Sequence, residues 1–183
     1  MIEHNFHDDL ARSHAASDLS LWLEIYRQAF PTLQVAIDHR EDGEHQRAGI
    51  DRSLILANSK QILIDEKIRW PGKNGRIYHD ILLEYVSNDR YNTPGWVCKP
   101  LRADYICYGI AAVGRGYLLP VPQLQQAWSR HGAEWLEANG TRTSPNQGYN
   151  TLNCPVAVRT LFAAIGDCLR VPFTPIRERP ENC

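Results

Sequence analysis

Gly49-Ile50-Asp51-Arg52-Ser53-Leu54-Ile55-Leu56-Ala57-Asn58-Ser59-Lys60-Gln61-Ile62-Leu63-Ile64-Asp65-Glu66-Lys67-Ile68-Arg69-Trp70 is the stretch whose reading decides the fold. Two apolar runs, Ile50 to Leu56 and Gln61 to Ile68, flank the turn-forming Ala57-Asn58-Ser59-Lys60, which predicts a hairpin of two strands. Both strands carry charge where burial makes it costly, Asp51 in the first and Asp65, Glu66 and Lys67 in the second. Because side chains alternate along a strand, Leu63, Asp65, Lys67 and Arg69 share one face, and Ile62, Ile64, Glu66 and Ile68 the other. If the turn sets Asp51 opposite, two carboxylates and an ammonium converge as a cage for a hard divalent ion.

An Asp on one strand, a turn, then Asp-x-Lys on the next strand resembles the PD-(D/E)XK nuclease superfamily, the restriction-endonuclease-like fold. The motif stands here as Gly49-Ile50-Asp51 and, after 13 intervening residues, Asp65-Glu66-Lys67, with Ile50 where the superfamily often has Pro. The resemblance spans residues 17 to 125 and implies an α/β fold with a central mixed sheet flanked by helices. It also implies Mg²⁺ or Mn²⁺ held by Asp51 and Asp65, with the Glu66 backbone carbonyl as a further oxygen ligand. Lys67 then helps to deprotonate a metal-bound water or, the favoured of its two jobs, stabilises charge developing on phosphorus, and Glu24, on the helix before the strands, completes the site. The implied reaction is metal-dependent hydrolysis of DNA phosphodiester bonds, with RNA also open as a substrate and homodimers a habit of the superfamily. Two other readings stand beside it. One is a non-catalytic nucleic-acid-binding or protein-interaction module on the same fold; the other is a structural salt-bridge network joining Asp65, Glu66 and Lys67 to Arg52 and Arg69.

Working outward, 183 residues at 43% hydrophobic content suit one domain with a full core, expected over residues 17–170. Residues 1–16 read as a polar N-terminal segment whose His4 and His7 are solvated, and 171–183 as an extended Pro-rich tail. The formal net charge of −1 carries no global basic signal, but between Arg47 and Arg102 ten Lys and Arg stand against six Asp and Glu, which suits a phosphate-bearing substrate. Five cysteines without a CxxC pair read as free thiols in a reducing compartment. With no leader-like start and no long apolar run, the expectation is a cytoplasmic protein that makes no membrane contact.

Ser17 or Asp18 caps a helix over Leu19 to Ala29, ended by Pro31, and Leu33 to Ile37 follows as a first strand. His39 to Gln46 reads as a polar link. Beyond the hairpin, Arg69 and the turn carrying Lys73 and Arg76 are candidate phosphate contacts, and the loop with Arg90 and Trp96 is a candidate surface for gripping a phosphate and stacking a base. Asp80 to Ser87 and Ala103 to Ala111 read as strands, with Glu84 either ion-paired or near the metal, and Tyr117 to Val121 as a short edge strand. A helix from Val121 or Pro122 loosens at Ser129 to Gly132, residues 140 to 150 form a polar loop, and Val156 to Leu169 is a final amphipathic helix begun by Pro155.

Overall fold

The computed structural model describes residues 20–39, 41–72, 74–166 and 168–178. In chain order these form α1 (Ser20–Ala29), β1 (Leu33–Asp38), α2 (Gly43–Arg47), β2 (Arg52–Leu56) and β3 (Gln61–Arg69). There follow β4 (Asp80–Asn88), β5 (Thr93–Pro94), β6 (Tyr105–Ile110), a 3-10 turn (Ala111–Val113) and β7 (Arg115–Pro120). The chain continues with α3 (Val121–Asn139), β8 (Arg142–Asn146), β9 (Tyr149–Ala157), α4 (Val158–Ile165) and β10 (Leu169–Pro172). The class is α/β, and the contacts gather the chain into two compact units, one drawn from residues 20–78, 101–121 and 168–178 and the other from 79–100 and 122–166.

The first unit holds a six-stranded mixed sheet in the order β1-β2-β3-β6-β7-β10. The hairpin folds as its pattern predicts: β2 pairs antiparallel with β3, Arg52 opposite Ile64 and Ile55 opposite Gln61, around a turn in which Ser59 takes φ 62°. β1 adds to β2 antiparallel, and β6 runs parallel to β3 with Asp65 beside Ile106 and Lys67 beside Tyr108. A parallel neighbour requires a long crossover. Here residues 70–104 supply it. Their strands β4 and β5 belong to the second unit's four-stranded antiparallel sheet, ordered β5-β4-β9-β8.

Helix α1 exists because Leu21, Trp22, Ile25 and Tyr26 recur at helical spacing, and all four are buried. They pack with Leu54, Ile64, Cys107, Leu118 and Val171 into one core. Gly116 on β7 permits this close approach, since a Cβ there would lie 2.6 Å from the Ile25 Cδ1. The core therefore sits on the sheet face carrying Ile64 and Glu66, which leaves Asp65 and Lys67 on the face away from α1.

Several elements differ from expectation. Strand β7 is no edge: it lies between β6 and β10, and the chain after Val171 is docked through Phe173 and Ile176 onto the 3-10 turn region. Helix α3 runs unbroken through Gly132, over which the Trp128 ring closes. Residues 142–157 form the β8–β9 hairpin, so Pro155 lies within a strand opposite Leu82 and the last helix spans only Val158–Ile165. The expected N-terminal segment and the end of the tail lie outside the described residues. No described helix is long and apolar enough to cross a membrane, and Cys98, Cys107, Cys154 and Cys168 are free thiols.

Candidate functional site

Asp51 enters the sheet from α2. Gly49, at φ 70°, turns the chain out of that short helix, and Ile50 N–H closes back on the His45 carbonyl at 3.0 Å. Asp51 is then fixed twice by the hairpin: its N–H donates to the Ile64 carbonyl at 2.9 Å, and its Oδ2 accepts the Glu66 N–H at 2.7 Å. The carboxylate thereby meets Asp65 on the next strand.

Asp65 is only 4% exposed, at the centre of a strand bonded on both sides. Burial pushes its carboxyl up to about 7, opposed by the neighbouring Lys67 ammonium and reinforced by the Asp51 charge and a side-chain hydrogen bond with Asp51. Lys67 Nζ donates to Asp65 Oδ1 and, at 3.3 Å, to the Glu66 carbonyl oxygen. One ammonium thus touches both the Asp65 carboxylate and the Glu66 backbone carbonyl. Asp51, Asp65 and the Glu66 carbonyl make an all-oxygen donor set, the kind that suits Mg²⁺ or Mn²⁺. Lys67, with a third of its side chain exposed, occupies part of that space as a cation would.

The Glu66 side chain turns the other way. Its Oε1 accepts Tyr26 Oη at 2.6 Å and Arg52 Nε at 2.7 Å, beneath the sheet, and Arg52 also reaches Asp38 at 3.5 Å. Burial raises the Glu66 carboxyl above its ordinary value against the pull of Arg52 and Tyr26. Of the salt-bridge network considered from sequence, the Glu66–Arg52 pair therefore forms, whereas Asp65 faces away from it and pairs with Lys67.

Glu24 does not join Asp51 and Asp65. It lies on α1, on the opposite side of the sheet, with Oε2 accepting the Thr174 N–H at 3.4 Å. Trp96 is 4% exposed, so its ring serves the interior and offers no face for a base. Arg69 follows Lys67 on the same strand face and stacks its guanidinium 3.9 Å from the Tyr78 ring centroid, with Arg76 at 5.3 Å from that ring. Arg90 sits in the exposed turn after β4, and Glu84 on β4, both in the second unit. Lys73 lies outside the described residues.

Two features escape the sequence reading. Tyr26, 40 residues from Glu66, carries no local mark of their contact. His39, Asp42 and His45 cluster at the mouth of α2, and their signal was available as three ligating residues spaced three apart in what reads as a mere link. No family model, curated protein or solved structure matches the chain.

Proposed function

We propose that the chain is a metal-dependent nuclease of the PD-(D/E)XK type, hydrolysing DNA phosphodiester bonds with Mg²⁺ or Mn²⁺. The observation that carries this reading is the meeting of Asp51, Asp65 and Lys67 on one side of the sheet, where the Asp65 carboxyl is buried and bonded to both Asp51 and Lys67. A structural role accounts for Glu66, whose charge is paired beneath the sheet, but gives no reason to press two carboxylates together above it. The connectivity supports the same fold family: a helix, three antiparallel strands, then a strand parallel to the third.

Asp51 and Asp65 would hold the ion together with the Glu66 carbonyl. A bound Mg²⁺ lowers the pKa of a coordinated water and binds a phosphate oxygen. The chain's own residues supply the remainder. Lys67, a third exposed and held beside Asp65, would stabilise the charge that gathers on phosphorus. Arg69, on the strand face of Lys67, and Arg76, both against the Tyr78 ring, offer guanidinium groups to flanking phosphates. Leu63, one pleat the other way, lines a pocket that Arg102 also borders, a second cationic contact for the strand being cut.

Plasmid DNA incubated with the purified protein tests this directly. Cleavage is expected with Mg²⁺, none with EDTA and none in Asp65→Ala, while Lys67→Ala should slow the reaction about 10²–10³-fold, as the loss of one transition-state donor does. Undiminished cleavage by Asp65→Ala would remove the basis of the assignment.

A further inference from the structure

The segment that delivers Asp51 holds a second group of ligating side chains. One ligand atom from each of His39, Asp42 and His45 lies within 4.8 Å of the other two. An ion bonded at about 2.0–2.2 Å to each would set such atoms about 3–4 Å apart, so a pair at the outer limit would close by roughly 1 Å. The carboxylate is already committed to this place, because Asp42 Oδ1 caps α2 by accepting the Glu44 and His45 N–H groups, leaving Oδ2 toward His45 Nδ1 at 2.7 Å. His39 is oriented from outside the cluster: its Nε2 meets Ser53 Oγ at 2.7 Å, and Ser53 Oγ in turn accepts Gln61 Nε2 at 3.0 Å. In the tautomer whose Nε2–H donates to Ser53 Oγ, Nδ1 keeps its lone pair for an ion, the outer-shell arrangement that metal-bound imidazoles use.

We propose that His39, Asp42 and His45 form a zinc site, separate from the all-oxygen pair Asp51 and Asp65. Two imidazoles and one carboxylate suit a borderline ion such as Zn²⁺ and leave a fourth position for water. In the ion-free protein the two rings stack with centroids 3.9 Å apart and planes 3° from parallel. Because a metal lies in the plane of each ring it binds, loading the site turns one ring out of the stack. His45 is the ring that turns, its side chain being 35% exposed. The consequence is local and specific. The His39 N–H donates to the Asp51 carbonyl and the His45 carbonyl accepts the Ile50 N–H, both at 3.0 Å, so zinc would clamp the β1–α2 connection onto the start of β2.

This inference does not rest on the nuclease reading, and its test needs no activity. Metal-free protein is titrated with Zn²⁺ without Mg²⁺, by calorimetry and by thermal melting, and with Co²⁺ followed by its visible absorption. One equivalent should bind and raise the melting temperature, equally in wild type and in Asp65→Asn. Ser53→Ala should weaken Zn²⁺ by about 10–100-fold, the worth of an outer-shell partner, and His39→Ala and His45→Gln by more. If His39→Ala loses its circular dichroism, the exposed His45→Gln decides. Unsaturable binding, or Zn²⁺ affinity unchanged in His45→Gln, would overturn the site, and loss of binding in Asp65→Asn would reassign the zinc to the carboxylate pair.

Discussion

Glu66 shows how one residue of the hairpin divides its labour between two faces: its carbonyl points to the site while its carboxylate is buried beneath, held by Tyr26 and Arg52 on a single oxygen. Oε2 has no hydrogen-bond partner among the described residues, so the group depends on those two donors. Arg52→Ala would leave a buried carboxylate without its counter-charge and should cost about 3–5 kcal/mol of stability, whereas Tyr26→Phe removes one donor and should cost about 1–3 kcal/mol. Denaturant unfolding of both variants checks the order. The alternation of Asp65, Glu66 and Lys67 was readable because strand periodicity is two, and it correctly separates the Glu66 side chain from its neighbours. Its partners were not. Tyr26 is a member of the apolar stripe of α1, and nothing in that stripe marks one hydroxyl as a donor to a strand 40 residues away.

At the scale of elements, the seating of α1 on β6 and β7 depends on small residues in the strands. Gly116→Ala places a methyl against Ile25, which is wholly buried and has little room to move. The variant should lose about 1–3 kcal/mol, read as a lower denaturation midpoint, and Ile25→Val in the same chain should recover part of it. The hairpin, α1 and the strands at Asp80 and Tyr105 were legible because each pairs a strong apolar period with a clear stop. The β8 strand was not, since Arg142 to Asn146 is almost entirely exposed and carries a Pro on an edge. Pro155 misled for a related reason: it lies beyond the last β8 pair, Arg142 with Asn153, where a strand tolerates a missing N–H. Gly132 suggested a break in α3, but the adjacent Trp128 stacks with Tyr85, and aromatic packing outweighs the roughly 1 kcal/mol that a helical Gly costs.

The whole molecule should report the state of Asp65 through its stability. The ordinary carboxyl value of 3.8 is raised to about 7 on folding, so the folded chain keeps a proton that the unfolded chain releases. That contribution is complete below about pH 4 and disappears as pH rises through about 7, an integrated change on the order of 4 kcal/mol. Metal-free protein should therefore melt at a lower temperature at about pH 8 than at about pH 5, with the loss flattened in Asp65→Asn. Mg²⁺ bound as proposed would compete with the same proton, so it should raise the melting temperature more at the higher pH. Thermal melts across pH, with Mg²⁺ and with EDTA, test both signs. At this scale the sequence was least informative: length and hydrophobic content suggested one domain, while the contacts form two units because the β3-to-β6 crossover and the stretch after α3 build a second sheet.

Lys67 bridging Asp65 and the Glu66 carbonyl has an electrical consequence. The centre carries its own positive charge beside the buried carboxylate, so a divalent ion bound as proposed would be exchanged for a proton and an ammonium instead of being added to two naked anions. Occupancy would then change the local charge by less than the ion's formal two, and the displaced ammonium would lie beside the ion.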